Sequence, residues 1–290
     1  MKEIVMWVLV KFWRLLSCLP RRMQFRFSGA LGKLCLFFAA KRFRVIKHNL
    51  TWCFSSKQEY DVEQIIQDNI RSFGQAIFDT GVAWFWTDAQ VRSGLDYELR
   101  GLDAFLNAQK QPQGILLISK HSQHLELDGR ILGLHIEPSY GVGRRSNSKV
   151  MNDAILQGRA KSFVDMSDKT NPRQFVRWLQ DGNTIIYLPD QDSGGKRSVK
   201  TTLFGVPARF SSAAYTLVKL SGCMAWFCNS FYEGEKLIVE LEPLTLPMDH
   251  AEAFSCSLAR YIESKIAKCP AEYMWSHRRF KSTKGRESYA

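Results

Sequence analysis

The stretch Gly114-Ile-Leu-Leu-Ile-Ser119, continued by Lys120-His121-Ser122-Gln123-His124-Leu125-Glu126-Leu127-Asp128-Gly129-Arg130, decides the fold class. Four consecutive apolar residues after a glycine read as a buried strand, because a strand covered on both faces shows no polar alternation. A helical segment, Gln123–Leu134, follows it directly. The same unit recurs downstream as a strand at Ser139–Val142 and a helix near Val150–Arg159. Asn171 as N-cap and Pro172 in the first turn open a helix that Gly182 closes. Then come a strand at Thr184–Leu188, a helix at Ser211–Leu220, strands at Ala225–Ser230 and Lys236–Leu241, and a helix at Ala251–Ala267. Alternation of this kind predicts the α/β class, with a mostly parallel or mixed central sheet flanked by helices.

Upstream, Asp61–Trp86 reads as one long amphipathic helix. Asp61 and Gln64 have capping-box spacing, and Ile65, Ile66, Ile70, Phe73, Ile77, Phe78 and Val82 recur at three- and four-residue steps. The 290 residues are 45% apolar and 12% aromatic, which supports a real core and excludes a disordered chain. A polytopic membrane protein is excluded as well, since no run of about 18 uncharged apolar residues occurs.

Charge is concentrated at one end. Residues 1–50 hold eleven cations against the single acid Glu3, a net +10 of the chain's +12. Those cations interleave with Trp7, Phe12, Trp13, Phe25, Phe27, Phe37 and Phe38. The pattern predicts a helical, membrane-associating extension over residues 1–40, lying in or on anionic lipid, ahead of a domain over 41–290. Ile4–Leu19 contains Lys11 and Arg14 and falls short of the roughly 20 apolar residues a span needs. No small-x-small cleavage site precedes Pro20-Arg21-Arg22, so an uncleaved anchor is expected, with the domain on the cytoplasmic side. A basic amphipathic helix packed on the protein's own core is the plainer alternative. Seven cysteines, an odd number in apolar surroundings, fit reduced thiols, and Cys223 and Cys228 lack the partners of a zinc site. Neither a GxGxxG nor a P-loop occurs, so no cofactor is expected.

In open α/β sheets reactive groups gather beyond the carboxyl ends of strands. His121 sits there, at a strand-to-helix turn, and Glu126 falls early in the following helix. Within a regular helix a five-residue separation leaves side chains about 140° apart. The two meet only if His121 precedes the helix on a chain that bends back. A carboxylate on one imidazole nitrogen then fixes the tautomer and makes the other nitrogen a general base. The plainer reading is a turn histidine bonded to backbone and a glutamate serving the helix dipole. His124 is a second candidate base, and His135 reads as structural. Another strand end, Tyr187-Leu188-Pro189-Asp190-Gln191-Asp192 through Lys196-Arg197, is either a polar cleft wall or an acidic surface loop.

Together these segments resemble the late acyltransferases of lipid A biosynthesis, the bacterial lauroyl/myristoyl transferase family. His121 and Glu126 match that family's motif of His, four residues, then Glu, and Gly129-Arg130 fits its ending. Asn49-Leu50 with Cys53-Phe54, Asp190-Gln191-Asp192, Leu203-Phe204-Gly205-Val206-Pro207-Ala208 and Tyr273-Met274-Trp275-Ser276-His277-Arg278-Arg279-Phe280 are similar to further signatures, in the right order. The resemblance implies transfer of a fatty acyl chain from acyl carrier protein to a hydroxyl of a phosphorylated glycolipid, on the cytoplasmic face of the inner membrane. It implies His121 as base and Glu126 as its orienting carboxylate. Arg159 would be a substrate-binding or oxyanion cation, and Asp190 would support the site. Direct attack by the acceptor needs no Ser or Cys nucleophile. The basic end would then face acidic partners: the glycolipid, the carrier protein and anionic membrane lipid. His277, Arg278 and Arg279 would contact acceptor phosphates or form a solvated patch. Other readings are an acyltransferase for another glycolipid or a lysophospholipid, and an inactive basic protein that binds membrane or nucleic acid. Charge confined to residues 1–50 weighs against a nucleic-acid groove on the main domain.

Overall fold

Three consecutive helices open the chain in the computed structural model, which describes residues 2–143, 146–168, 171–192, 194–195 and 198–290. They are α1 (Lys2–Ser17), α2 (Arg21–Phe38) and α3 (Ala40–Phe54), followed by the long α4 (Val62–Phe85) and the short α5 (Asp88–Gly94). The sheet is then built from β1 (Tyr97–Arg100), α6 (Leu102–Gln109), β2 (Ile115–Ser119), α7 (Leu125–Leu132), β3 (Ser139–Gly143), α8 (Lys149–Arg159) and β4 (Asp165–Asp168). It continues through α9 (Pro172–Gln180), β5 (Thr184–Tyr187), a hairpin of β6 (Ser198–Leu203) and β7 (Val206–Ser211), α10 (Ala213–Ser221), β8 (Met224–Glu233), β9 (Lys236–Pro243) and α11 (Ala251–Lys268). The expected α/β class is what the chain adopts.

Seven strands form one sheet in the order β1-β9-β8-β2-β5-β3-β4, and β6-β7 stand apart. Every pairing in the large sheet is parallel except β8 with β9. The apolar run that announced β2 is buried throughout, and its residues alternate between two cores. Leu116 and Ile118 join the side made by α9, α10 and α11, with Phe175, Leu217 and Phe254. Ile115 and Leu117 face the other side, with Phe105, Leu127 and Ile131. A central strand packed on both faces has no solvent side, which is why it carries no polar alternation. Helix α4 bridges the two layers: Ile66 and Ile70 lie in the first core, Val82 and Trp84 in the second.

The expected helix at 61–86 forms over Val62–Phe85. Asp61 caps it by accepting from Gln64 N–H at 3.0 Å, but the Gln64 side chain turns to Asp68 instead of closing the box. A complete capping box stands one element later, between Thr87 and Gln90. The amino-terminal helices have an unusual polarity. Helix α2 buries Gln24, Ser28, Gly32 and Leu36, while Met23, Phe27, Leu34, Phe37 and Phe38 are exposed. Helix α1 likewise exposes Ile4, Val5, Trp7, Val8, Leu9, Phe12 and Leu15. Among the described residues no helix is long and apolar enough to cross a membrane.

Candidate active site

Two neighbouring parallel strands deliver the site. Ile118 of β2 is in register with Tyr187 of β5. His121 lies three residues beyond the first and Asp190 three beyond the second, so both leave the same sheet end at the same height. There the His121 ring Nδ1 and an Asp190 Oδ1 stand 2.5 Å apart, and the His121 backbone N–H donates to Asp190 Oδ2 at 2.8 Å. Asp190 is fully buried. Burial by itself would push its carboxyl up. The His121 charge, the bonds from its ring and backbone, and a bond from the Tyr273 side chain hold it down at about 2. His121 Nε2 makes no hydrogen bond to any described residue.

The expected pairing of His121 with Glu126 does not form. Helix α7 starts at Leu125, and its first turn aims Glu126 at α4 and α8. The Glu126 carboxylate accepts from Trp84 Nε1 at 2.8 Å and from Arg159 Nε at 3.0 and 3.1 Å, and it also holds Arg159 Nη2. Arg159 reaches it because Gly158 lets α8 press against the Trp84 ring: a Cβ there would stand 2.4 Å from Trp84 Cγ. The anticipated residues thus come together as two pairs, His121 with Asp190 and Glu126 with Arg159.

The Glu126–Arg159 pair lines a cleft of ≈ 650 Å³, mouth included, whose other walls are mainly apolar. Leu125, Leu132, Val142, Phe163, Met166 and Leu188 form them, and Ser119 and Leu188 bring the wall to within two residues of His121 and Asp190. One side of α7 therefore offers a carboxylate and a guanidinium at the wall of a mainly apolar cleft.

The loop between β2 and α7 is braced from beneath. Lys120, buried, donates to Asn229 Oδ1 at 2.7 Å and to the Ser230 carbonyl at 3.1 Å, and burial lowers its pKa. His124 is not a free base. Its two nitrogens lie 2.9 Å from Asp128 and 2.9 Å from Glu272. Burial alone would lower its pKa, but those two carboxylates push it up to about 10. Glu272 also accepts from Tyr232 N–H, and the Tyr232 hydroxyl donates to Asp79, which pairs with Arg21 of α2 at 2.9 Å. A continuous chain of polar contacts therefore links the basic extension to the His121 loop. His135 is bound to the Tyr97 hydroxyl at 2.8 Å, away from that loop.

The stretch 190–192 is no surface loop. Asp192 is buried, and it accepts from Gly194 N–H and from the Ser282 hydroxyl and N–H. Lys196 and Arg197 lie outside the described residues. Nor is 277–279 a solvated patch. Arg279 is 1% exposed, lies over the Phe210 ring and donates to the Arg209 carbonyl, His277 is half-buried, and Arg278 is exposed. All seven cysteines are free.

Sequence reasoning missed Trp84 and Glu272, and it gave Tyr273 only as part of a matching segment, with no role. Each reaches the site from a distant element, and nothing along the chain near His121 points to them. The signal for the His121–Asp190 pair was present: two buried apolar strands of near-equal length, each followed at the same offset by a polar turn.

Comparison with known proteins identifies the family. Residues 1–282 match the family model of bacterial lipid A biosynthesis acyltransferase. The chain is 33% identical to the lipid A biosynthesis palmitoleoyltransferase of Escherichia coli (strain K12), over 87% of this chain and 83% of that one. It is 31% identical to the lipid A biosynthesis lauroyltransferase of the same organism, over 96% of this chain and 89% of that one. A lipid A biosynthesis acyltransferase of Haemophilus influenzae is 32% identical, over 97% and 91%. A histidine–carboxylate pair at a sheet end beside an apolar cleft, in a chain matched almost end to end, settles the assignment: the protein belongs to the bacterial lipid A biosynthesis acyltransferase family.

Proposed function

We propose that the chain moves a fatty acyl group from the thioester of acyl carrier protein to a hydroxyl of a phosphorylated lipid A precursor, at the cytoplasmic face of the inner membrane. The observation that carries this reading is the His121–Asp190 pair at 2.5 Å, with the outer ring nitrogen free of any described partner, beside an apolar cleft.

An alcohol is a poor nucleophile at neutral pH, so its proton must leave as it attacks. Asp190, held ionised, keeps the Nδ1 proton of His121 in place and stabilises the imidazolium. Nε2 then takes the proton of the acceptor hydroxyl, and later returns it to the departing thiol. The acyl chain lies in the cleft between α7 and α8. Glu126 has a different task from the one its spacing predicts: it fixes the guanidinium of Arg159 at the cleft wall, where the cation attracts the polar end of the donor. The exposed apolar faces of α1 and α2, with their lysines and arginines, match an anionic lipid surface and bring the site to its water-insoluble acceptor.

The test is direct. Purified protein in detergent is supplied with acyl carrier thioester and lipid A precursor, and the products are read by mass spectrometry. The precursor should gain one acyl chain, and His121→Ala should lose at least about a thousandfold in turnover. Acylation of lysophospholipid in place of the glycolipid, or full turnover by His121→Ala, would overturn the reading.

A further inference from the structure

The segment Tyr273–His277 runs beside the loop that carries His121. Ser122 and Tyr273 form an antiparallel bridge, and Met274 N–H donates to the His121 carbonyl at 2.9 Å. The backbone of His277 is fixed in turn. Asn49 Nδ2 donates to both the Trp275 and the His277 carbonyls at 2.7 Å, and the Tyr289 hydroxyl donates to Asn49 Oδ1. Against this well-satisfied backbone the ring stands out: His277 Nε2 is buried and has no hydrogen-bond partner among the described residues. Buried polar atoms are rarely left unpaired, and an exception beside a reactive group calls for a substrate atom to complete it. The ring is also neutral in the working range. Burial, with the nearby Lys281, His121 and Arg279, pulls it down to about 4.

Acyl transfer needs a donor for the negative charge that develops on the thioester oxygen. Arg159 was the expected cation, but its Nε and Nη2 are both committed to Glu126. We propose that His277 supplies this donor, its Nε2–H holding the carbonyl oxygen of the acyl thioester in the tetrahedral intermediate. The proposal rests on the acyl-transfer reading above. In the first step the acceptor oxygen bonds to the carbonyl carbon, its proton passes to His121 Nε2, and the carbonyl π pair moves onto the oxygen held by His277. In the second step the carbonyl re-forms, the C–S bond breaks, and the leaving sulfur takes the proton from His121. A neutral imidazole suits the task, because it polarises a carbonyl by donating a hydrogen bond without surrendering its proton.

The experiment compares the full-length wild type with H277A, H277F, H277N and H277Q, using acyl carrier thioester and lipid A precursor as the two probes. H277A and H277F should lose roughly 10²–10³-fold in kcat, the effect of deleting one oxyanion donor. KM for both substrates should stay within about threefold, which a merely structural defect would not do. If those two variants fail to fold, the amide pair carries the test. Gln places its N–H near the Nε2 position and Asn near Nδ1, so H277Q should exceed H277N in kcat by about tenfold. A kcat within about threefold of wild type in H277A or H277F, a loss confined to KM, or equal turnover in H277Q and H277N overturns the proposal. Those results leave acyl transfer by the wild type intact. Wild-type protein that acylates no lipid A precursor would instead remove the reading on which the proposal rests.

Discussion

Asp190 and Glu126 are two carboxylates near one cleft with different surroundings. Asp190 is fully buried and bonded to His121, whereas Glu126 spends its oxygens on Trp84 and Arg159. Asp190→Asn keeps the shape but no longer stabilises an imidazolium, and its amide favours the wrong ring tautomer. A kcat lower by roughly 10²–10⁴-fold is expected, with KM little changed. Steady-state kinetics on the two variants separates the pairs: Glu126→Gln should instead show up as a raised KM for the acyl donor, through a loosened Arg159. Equal kinetic profiles would mean that the two carboxylates share one role. His124 offers a test of stability. Its pKa stands at about 10 in the fold against 6.5 for the free side chain. The folded state therefore binds more protons over that window. The stabilisation is complete below about pH 6.5 and is lost as pH rises towards about 10, by roughly 1.4 kcal/mol per pH unit at most. Urea unfolding of wild type across pH 6.5 to 9.5 should show this decline, and His124→Gln should flatten it. The sequence made His121 a candidate at this scale through its place just past an apolar strand and its match to a motif of His, four residues, then Glu, although a turn histidine bonded to backbone was the plainer reading. It could not pair His121 correctly, because the spacing to Glu126 is local while the neighbourhood of Asp190 is set by strand order.

The close approach of α2 to α4 depends on two glycines. A Cβ on Gly32 would lie 2.0 Å from the Ile70 carbonyl oxygen, and one on Gly74 1.8 Å from that of Ser28. Backbone cannot yield as a flexible side chain does, so Gly32→Ala or Gly74→Ala should destabilise by about 1–3 kcal/mol. Gly29, on the same helix, has only Arg71 Nε at 4.0 Å, and Gly29→Ala should gain up to about 1 kcal/mol from helix propensity. Thermal unfolding of the three variants decides it, and a similar shift for Gly29 and Gly32 would refute the packing argument. Periodicity revealed the long helices and the buried strands, because burial imposes it. It missed β1 and β4, which lie at the two sheet edges and read Tyr97-Glu98-Leu99-Arg100 and Asp165-Met166-Ser167-Asp168. The β6–β7 hairpin was hidden for another reason. Its two-residue turn, Phe204-Gly205, has φ of 53° and 83°, which usually calls for Asn-Gly. Phe204 holds that backbone because its ring packs on Phe54 and its N–H donates to Glu263.

At the scale of the molecule, the amino-terminal helices are turned inside out relative to water. Phe37 and Phe38 are 78% and 80% exposed, while the inward stripe of α2 includes Gln24 and Ser28. A helix that buries its polar stripe and presents phenylalanines outward leaves an exposed apolar patch of the kind that marks an interaction site. The adjoining cations Arg22, Arg26, Lys33 and Lys41 are why the proposed cover is an anionic lipid surface. The same helices are tied to the His121 loop through Arg21, Asp79, Tyr232, Glu272 and His124, so on the proposed reading membrane docking and loop geometry share one network. Phe37→Glu with Phe38→Glu tests the face without touching that network. Because both rings are already in solvent, the melting temperature in detergent should move little, and turnover on detergent-dispersed precursor should stay near wild type. Sedimentation with vesicles containing anionic phospholipid should fall at least tenfold, and turnover on precursor embedded in those vesicles should fall with it. Raising salt should weaken the wild type's binding only in part, since screening removes the cationic share and leaves the apolar one. Vesicle binding that survives both substitutions would show that the exposed phenylalanines are not the docking face. Loss of turnover in detergent as well would show that they act on the site itself.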